Sequence, residues 1–222
     1  MHLPDTEALK SFDIVIQSGA ILAVLVLYGK RLIVSRNALL KTIVAFIPTG
    51  ILGVLLHKMV KTYFFESTQL ILWSLLIGGV ILILVDVFHK EQSSHVSEIE
   101  SISYKQAIAL GFVQSIAMIP GVSRSGATIV GGMLMGIKRV TIVEFSFLLA
   151  IPTMLAATGL DLVKSASSFT SGDVLNLGIG FVVSFFVALV AIKWLLAYVK
   201  SHSFKWFGIY RIAVAAMFIG FF

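Results

Sequence analysis

Six stretches of this chain are long and apolar enough to cross a bilayer: residues 11–28, 39–57, 69–88, 141–160, 174–196 and 206–222. A crossing helix needs about 20 mostly apolar residues. The hydrocarbon core holds no water to satisfy backbone groups, so a continuous apolar run crosses as a helix. These runs leave room for little else. The expectation is an all-α, polytopic membrane protein with about six transmembrane helices, forming a single integral membrane domain over residues 1–222. Composition agrees: the chain is 58% hydrophobic and 13% charged, with a mean hydropathy of +1.01. A soluble domain is about 45–50% apolar and about 25% charged.

The stretch 104–136 behaves differently. It is apolar enough to enter the membrane, but Pro120-Gly121-Val122-Ser123-Arg124-Ser125-Gly126-Ala127-Thr128 breaks it near its middle. The pieces on either side, about 104–119 and 126–137, are too short to span. This pattern predicts a re-entrant helical hairpin, whose irregular backbone is tolerated only where it is buried or lines a cavity.

The formal charge of +6 is no nucleic-acid signal, because the basic residues sit in short loops between apolar runs. Lys30, Arg31, Arg36 and Lys41 fall in loop 29–41. Lys90, Lys105, Lys138 and Arg139 fall at 89–105 and 137–140, and Lys193, Lys200 and Lys205 at 193–205. The opposite side holds only Lys10, Lys58, Lys61 and Lys164. The positive-inside rule then places the richer loops in the cytoplasm and both termini outside. Two related halves are also expected. Residues 1–90 hold three spans, and residues 103–222 hold the re-entrant loop 104–136 and three more. The run Phe12–Ala23 echoes Glu144–Ala156. Three spans per half would invert the second half relative to the first, as in many transporters. The first half then lacks its own hairpin.

The nonapeptide carries the chemistry. Gly121 and Gly126 permit backbone conformations that other residues resist. Thr128 is expected to open an apolar helix, whose free amides would face the loop as an anion site. Arg124 adds a permanent charge with a fork that matches phosphate oxygens. Ser123, Ser125 and Thr128 add hydroxyl donors. Together they specify a phosphate or diphosphate pocket. The spacing Gly121-x4-Gly126 resembles a P-loop, but Ala127 and Thr128 stand where lysine and serine or threonine must follow, which argues against a nucleotide. The bland alternative is a tight hairpin whose serines bond backbone and whose arginine snorkels to the interface. An arginine at membrane depth costs roughly 2.5–3.5 kcal/mol on insertion scales, and one arginine, three hydroxyls and two glycines converge here.

Other polar residues are weaker signals. Asp13 and Gln17 share a helix face, and an amide seven residues into a span needs partners. Glu144 lies close to Lys138 and Arg139. Asp86 ends the third span beside loop cations and reads as interfacial. Arg211 lies inside the final span and reads as structural. Gly78-Gly79 and Gly131-Gly132 permit close helix packing. The chain has no cysteine, and its five histidines show no zinc spacing, so no metal ligand is assigned.

The run IPGVSRSGATIVGGMLMGIKR, continuing to EFSFLLAIPTM, resembles the bacterial undecaprenyl-diphosphate phosphatase family of the bacitracin-resistance type. FDIVIQSGAILAVLV, SYKQAIALGFVQSIAMIPG, TSGD at 170–173 and IYRIAVAAMFIGFF fit the same family, so the resemblance covers essentially the whole chain. It implies hydrolysis of undecaprenyl diphosphate to the monophosphate carrier lipid reused in cell-wall synthesis. It implies a bacterial plasma-membrane location and bacitracin resistance. It implies catalytic roles for Ser123 and Arg124, and substrate binding by Gly121, Ser125, Gly126, Thr128, Gln17 and Glu144. It further implies a divalent cation, Mg or Ca, with ligands outside this sequence. The partners are a polyprenyl diphosphate lipid and the membrane, and a homodimer is compatible with the sequence.

Family members carry an early segment of the type E-G-x-T-E-F-L-P-V-S-S-T-G-H, with glutamates, serines and a histidine for catalysis. This sequence begins at Met1-His2-Leu3-Pro4-Asp5. The expectation is therefore a fragment, a mis-called start or a truncated variant, with the general base on the segment not seen. A competing class is a lipid transporter or flippase that binds a polyprenyl phosphate without hydrolysis, which phosphate release would separate from an enzyme.

Overall fold

A computed structural model describes residues 7–63, 67–89, 91–165 and 174–220. Among them eight α-helices follow in order: α1 Glu7–Val34, α2 Arg36–Tyr63, α3 Thr68–Phe88, α4 Tyr104–Ser115, α5 Arg124–Leu134, α6 Arg139–Ser165, α7 Val174–Ser201 and α8 Lys205–Ile219. Single 3-10 turns at Ile99–Ser101 and Ile116–Met118 flank α4. The all-α, polytopic expectation holds. TSGD at 170–173 lies outside the described residues.

Among the described residues, five helices, α1, α2, α3, α6 and α7, are long and apolar enough to cross a membrane. The sequence predicts six. The difference is α8, whose 15 described residues rise about 22 Å at 1.5 Å per residue, short of a hydrocarbon core of about 30 Å. One correction concerns loop 29–41. It is almost entirely helical, and only Ser35 separates α1 from α2. Leucine, lysine and arginine are good helix formers, so polar flanks prolong the spans. Ser35 restarts the chain by accepting the Ala38 amide on its hydroxyl at 3.3 Å.

The chain forms two compact units. One comprises Met1–Val34 and Ala150–Leu195. Within it α1 lies tightly against α7: a Cβ on Gly19 would fall 2.5 Å from the Phe181 carbonyl, and the Ser184 hydroxyl donates to the Ile16 carbonyl.

The other unit, Ser35–Leu149 with Leu196–Phe222, contains the nonapeptide. Here α2 and α4 run side by side in one direction. Buried Lys41 donates to the Glu100 carbonyl and lies 5.9 Å from the Tyr104 ring centroid. Further along, Thr49 donates to the Gly111 carbonyl at 2.8 Å, and Gly53 lies against Met118. Buried Gln114 donates to the Thr49 hydroxyl at 3.2 Å, so the amide is satisfied between the helices. Helices α3 and α8 cross at Gly79 and Gly208, where a Cβ on either would fall under 3 Å from the other's carbonyl.

Helices α4 and α5 form a hairpin with Gly131 seated against Val113. Its two ends are fastened together. The Val96 amide donates to the Gly136 carbonyl and the Lys138 amide to the Val96 carbonyl, both at 2.9 Å. Gln106 donates to the Met135 carbonyl at 3.0 Å, and Thr141 to the Ser97 carbonyl at 2.8 Å. The hairpin therefore starts and finishes at the same end of its unit.

That end is closed by a buried ion pair. Arg139 meets Asp86 at 2.9 Å, with side chains 19% and 4% exposed. Asp86 also accepts the Phe204 amide at 3.0 Å, and Arg139 donates to the His202 carbonyl at 3.1 Å. Segments 86–105, 136–141 and 202–205 thus meet in one place, which groups the same basic loops as the charge pattern does. Asp86→Ala strands the Arg139 charge, and breaking a buried pair from one side costs about 3–5 kcal/mol. The expected outcome is a fall of that size in unfolding free energy in detergent; a loss under about 1 kcal/mol would show the pair to be no more than a surface bridge.

Candidate functional site

The hairpin tip is a β-turn followed by a helix start. The Val122 amide donates to the Ile119 carbonyl at 3.1 Å, with Pro120 and Gly121 between. Gly121 has φ +88°. Proline then a positive-φ residue is the type II pattern, and glycine takes the second place without strain. Gly121 is also pressed onto α3: a Cβ there would fall 2.5 Å from the Ile71 carbonyl and 2.9 Å from Ser74 Cβ.

Ser123 is the N-cap of α5. Its backbone is extended at φ −71°, ψ 121°, and its hydroxyl accepts the Gly126 amide at 3.1 Å. The Ala127 amide donates to the Ser123 carbonyl at 2.9 Å. The helix therefore begins at Arg124, four residues earlier than the sequence suggests. The reason is the cap: serine at this position satisfies a first-turn amide, so Gly126 becomes helical rather than part of the loop. Thr128 is consequently buried inside the helix, and its hydroxyl donates to the Arg124 carbonyl at 3.0 Å. It braces the first turn instead of opening it.

At the mouth of this helix stand Arg124, half-buried, and Ser125, exposed. The Ser125 hydroxyl lies 3.3 Å from that of Ser123. First-turn amides, the positive end of the helix dipole, a guanidinium and two hydroxyls share one locus, which favours a multiply charged anion.

Glu144 is half-buried on α6 in the same unit, and Gln17 is half-buried on α1 in the other. Arg211 carries a contact that the sequence reading missed. Its Nη2 donates to the Gly121 carbonyl at 2.9 Å. The available signal was a cation inside the last span together with a glycine pair in the third. Gly78 leaves the space that the guanidinium occupies. Among the described residues, no group of three or more His, Cys, Asp or Glu side chains converges. Among the described residues, the donors present do not make a divalent-cation site.

The fold and the tip together define a multi-pass helical membrane protein whose helical hairpin ends in a serine-capped helix start bearing an arginine. Residues 1–217 match the family described as bacitracin resistance protein BacA, and the chain belongs to that family. It is 49% identical over 222 residues to an undecaprenyl-diphosphatase of Aquifex aeolicus, covering all of this chain and 86% of the relative. It is 47% identical over 218 residues to one from a Sulfurihydrogenibium species, covering 98% of this chain and 85% of the relative. An undecaprenyl-diphosphatase of Methanococcus aeolicus is 42% identical over 222 residues, again across all of this chain and 86% of the relative.

Proposed function

We propose that this protein is an undecaprenyl-diphosphatase, which releases inorganic phosphate from undecaprenyl diphosphate and returns the monophosphate carrier lipid. The observation that carries this reading is the Ser123-capped start of α5 bearing Arg124 at the hairpin tip, in a chain whose relatives carry that name. In the reaction an oxygen nucleophile attacks the terminal phosphorus and the bridging P–O bond breaks. Charge spreads over the transferring phosphoryl, so positioning and electrostatic stabilisation dominate. Arg124 grips the phosphate oxygens with its fork. The α5 amides and the Ser125 hydroxyl complete the cradle, while Gly121 and Gly126 allow the backbone to come close. Glu144, in the same unit, is proposed to contact substrate.

The fastened hairpin supports the following membrane arrangement. Both of its ends lie at the basic end of the unit, so α4 and α5 enter and leave on the cytoplasmic side as a re-entrant pair. Between Asp86, at that end, and Ser74, beside the tip, α3 rises about 18 Å. The tip therefore lies more than halfway through a core of about 30 Å and opens toward the outer face. In this reading α8 completes a sixth crossing, both termini lie outside, and the two halves form an inverted repeat whose first hairpin has no counterpart in residues 1–90. The setting is the bacterial plasma membrane, where recycling the carrier supports cell-wall synthesis and bacitracin resistance.

The test is phosphate release from undecaprenyl diphosphate by the purified chain in detergent, with substrate-dependent turnover expected. Movement of the lipid across vesicles without release would replace hydrolysis by transport. Ser123→Ala removes the α5 cap and is expected to cost about 1 kcal/mol of stability. It is also expected to leave measurable turnover, because the hydroxyl serves as cap and phosphate donor. Complete loss of turnover in a folded variant would assign Ser123 the nucleophile's role instead.

A further inference from the structure

Arg211 is the second arginine at the hairpin tip, and 90 residues separate it from the glycine it holds. Its Nη2 donates to the Gly121 carbonyl at 2.9 Å and reaches the Ser74 carbonyl at 3.4 Å. The pocket for the guanidinium exists because residue 78 is glycine: a Cβ there would fall 2.7 Å from Nη2. The Nε is buried with no acceptor among the described residues. A guanidinium offers five donors, and burying one unmet is costly. A residue needed only to fill space between α3 and α8 would be apolar. The carbonyl that Arg211 holds belongs to the positive-φ residue of the turn, two positions before the α5 cap and three before Arg124.

We propose that Arg211 is a positioning residue for the anion loop. Its hydrogen bond fixes the Gly121 turn against α3, which sets where Ser123 and Arg124 project. Its charge also raises the potential that a diphosphate meets at the tip. Arg211 acts through the loop and does not itself grip the substrate. The proposal rests on reading the loop as the diphosphate site.

The test measures kcat and KM for undecaprenyl diphosphate, with thermal midpoints, for Arg211→Ala, Arg211→Lys, Gly78→Ala and, as reference, Arg124→Ala. A loop displaced by about 1 Å loses on the order of 10²-fold. Arg211→Ala is expected to lower kcat by that factor with KM within threefold. Arg211→Lys, which retains a charge and a donor, should recover part of the loss. Gly78→Ala keeps Arg211 but crowds Nη2, and it should also lower kcat while the protein stays folded. If Arg211→Ala fails to fold, Gly78→Ala decides. The proposal is overturned by wild-type kcat in Gly78→Ala, by kcat within twofold of wild type in folded Arg211→Ala, or by a loss confined to KM. Wild-type turnover in Arg124→Ala would instead overturn the loop reading itself, which separates the two failures.

Discussion

Replacing Arg124 with alanine is expected to lower kcat/KM for undecaprenyl diphosphate by at least about 10³-fold, the range seen when an arginine that stabilises a transferring phosphoryl is lost. The residue stands at the first position of α5, beside the Ser123 cap and the exposed Ser125. The positive end of the helix dipole lies there, and no other cation lies on the nonapeptide. Arg124→Lys keeps the charge but replaces a planar fork with a point charge, so an intermediate loss of about 10–10²-fold is expected. Phosphate release measured over a substrate series checks both, with the thermal midpoint as the folding control. A loss under tenfold in folded Arg124→Ala would take the residue out of the phosphate site.

The second large effect is expected from Gly121→Ala. An L residue in the left-handed region costs about 1–2 kcal/mol. The added methyl would also meet the Ile71 carbonyl at 2.5 Å, and that atom belongs to the backbone of α3. Neither partner can turn aside as a flexible side chain would. The turn must lift from α3, and the Arg211 hydrogen bond lifts with it. Turnover should fall by about 10²-fold, and stability should fall by at least about 2 kcal/mol, adding the collision to the backbone cost. Gly126→Ala is the contrast. It lies within α5, at ordinary helical φ, and its Cβ would meet only the Ser123 side chain, at 3.1 Å. Its effect on stability should be the smaller of the two, as read from denaturant or thermal unfolding in detergent. Equal losses would mean that crowding at the cap, and not the Gly121 turn, governs the loop.

Much of this was legible from local pattern. Each long helix lies over an apolar run, because burial of a run some 20 residues long is a property of the run itself. The break at 120–128 and the short helices on either side were legible too, since proline and glycine interrupt a helical run in any context. Where local reading failed, a competing local effect or a distant partner was responsible. Thr128 looked like a helix start because it precedes an apolar run, but the Ser123 cap acts first. Loop 29–41 looked like a loop because it is charged, but lysine and arginine propagate helices as readily as they end membrane spans. For Arg211 the structural role was legible, but its acceptor was not, because Gly121 lies far away in the chain. The Asp86–Arg139 pair was read only as an interfacial carboxylate beside cations, with no indication of which cation it would choose.

The amino-acid sequence by itself determined that the chain is a helical membrane protein, where its apolar runs lie, and that one central nonapeptide gathers an arginine, three hydroxyls and two glycines. Those properties follow from hydropathy over about 20 residues and from side-chain chemistry within nine. Only the tertiary structure decided that Val96 and Gly136 fasten the two ends of the hairpin, that Asp86 takes Arg139, and that Arg211 holds the Gly121 turn. Each of these joins groups that no local period relates. The choice among many acceptors of similar chemistry is made by packing, here by the glycines that let α3 and α8 approach closely enough for an arginine to reach the loop.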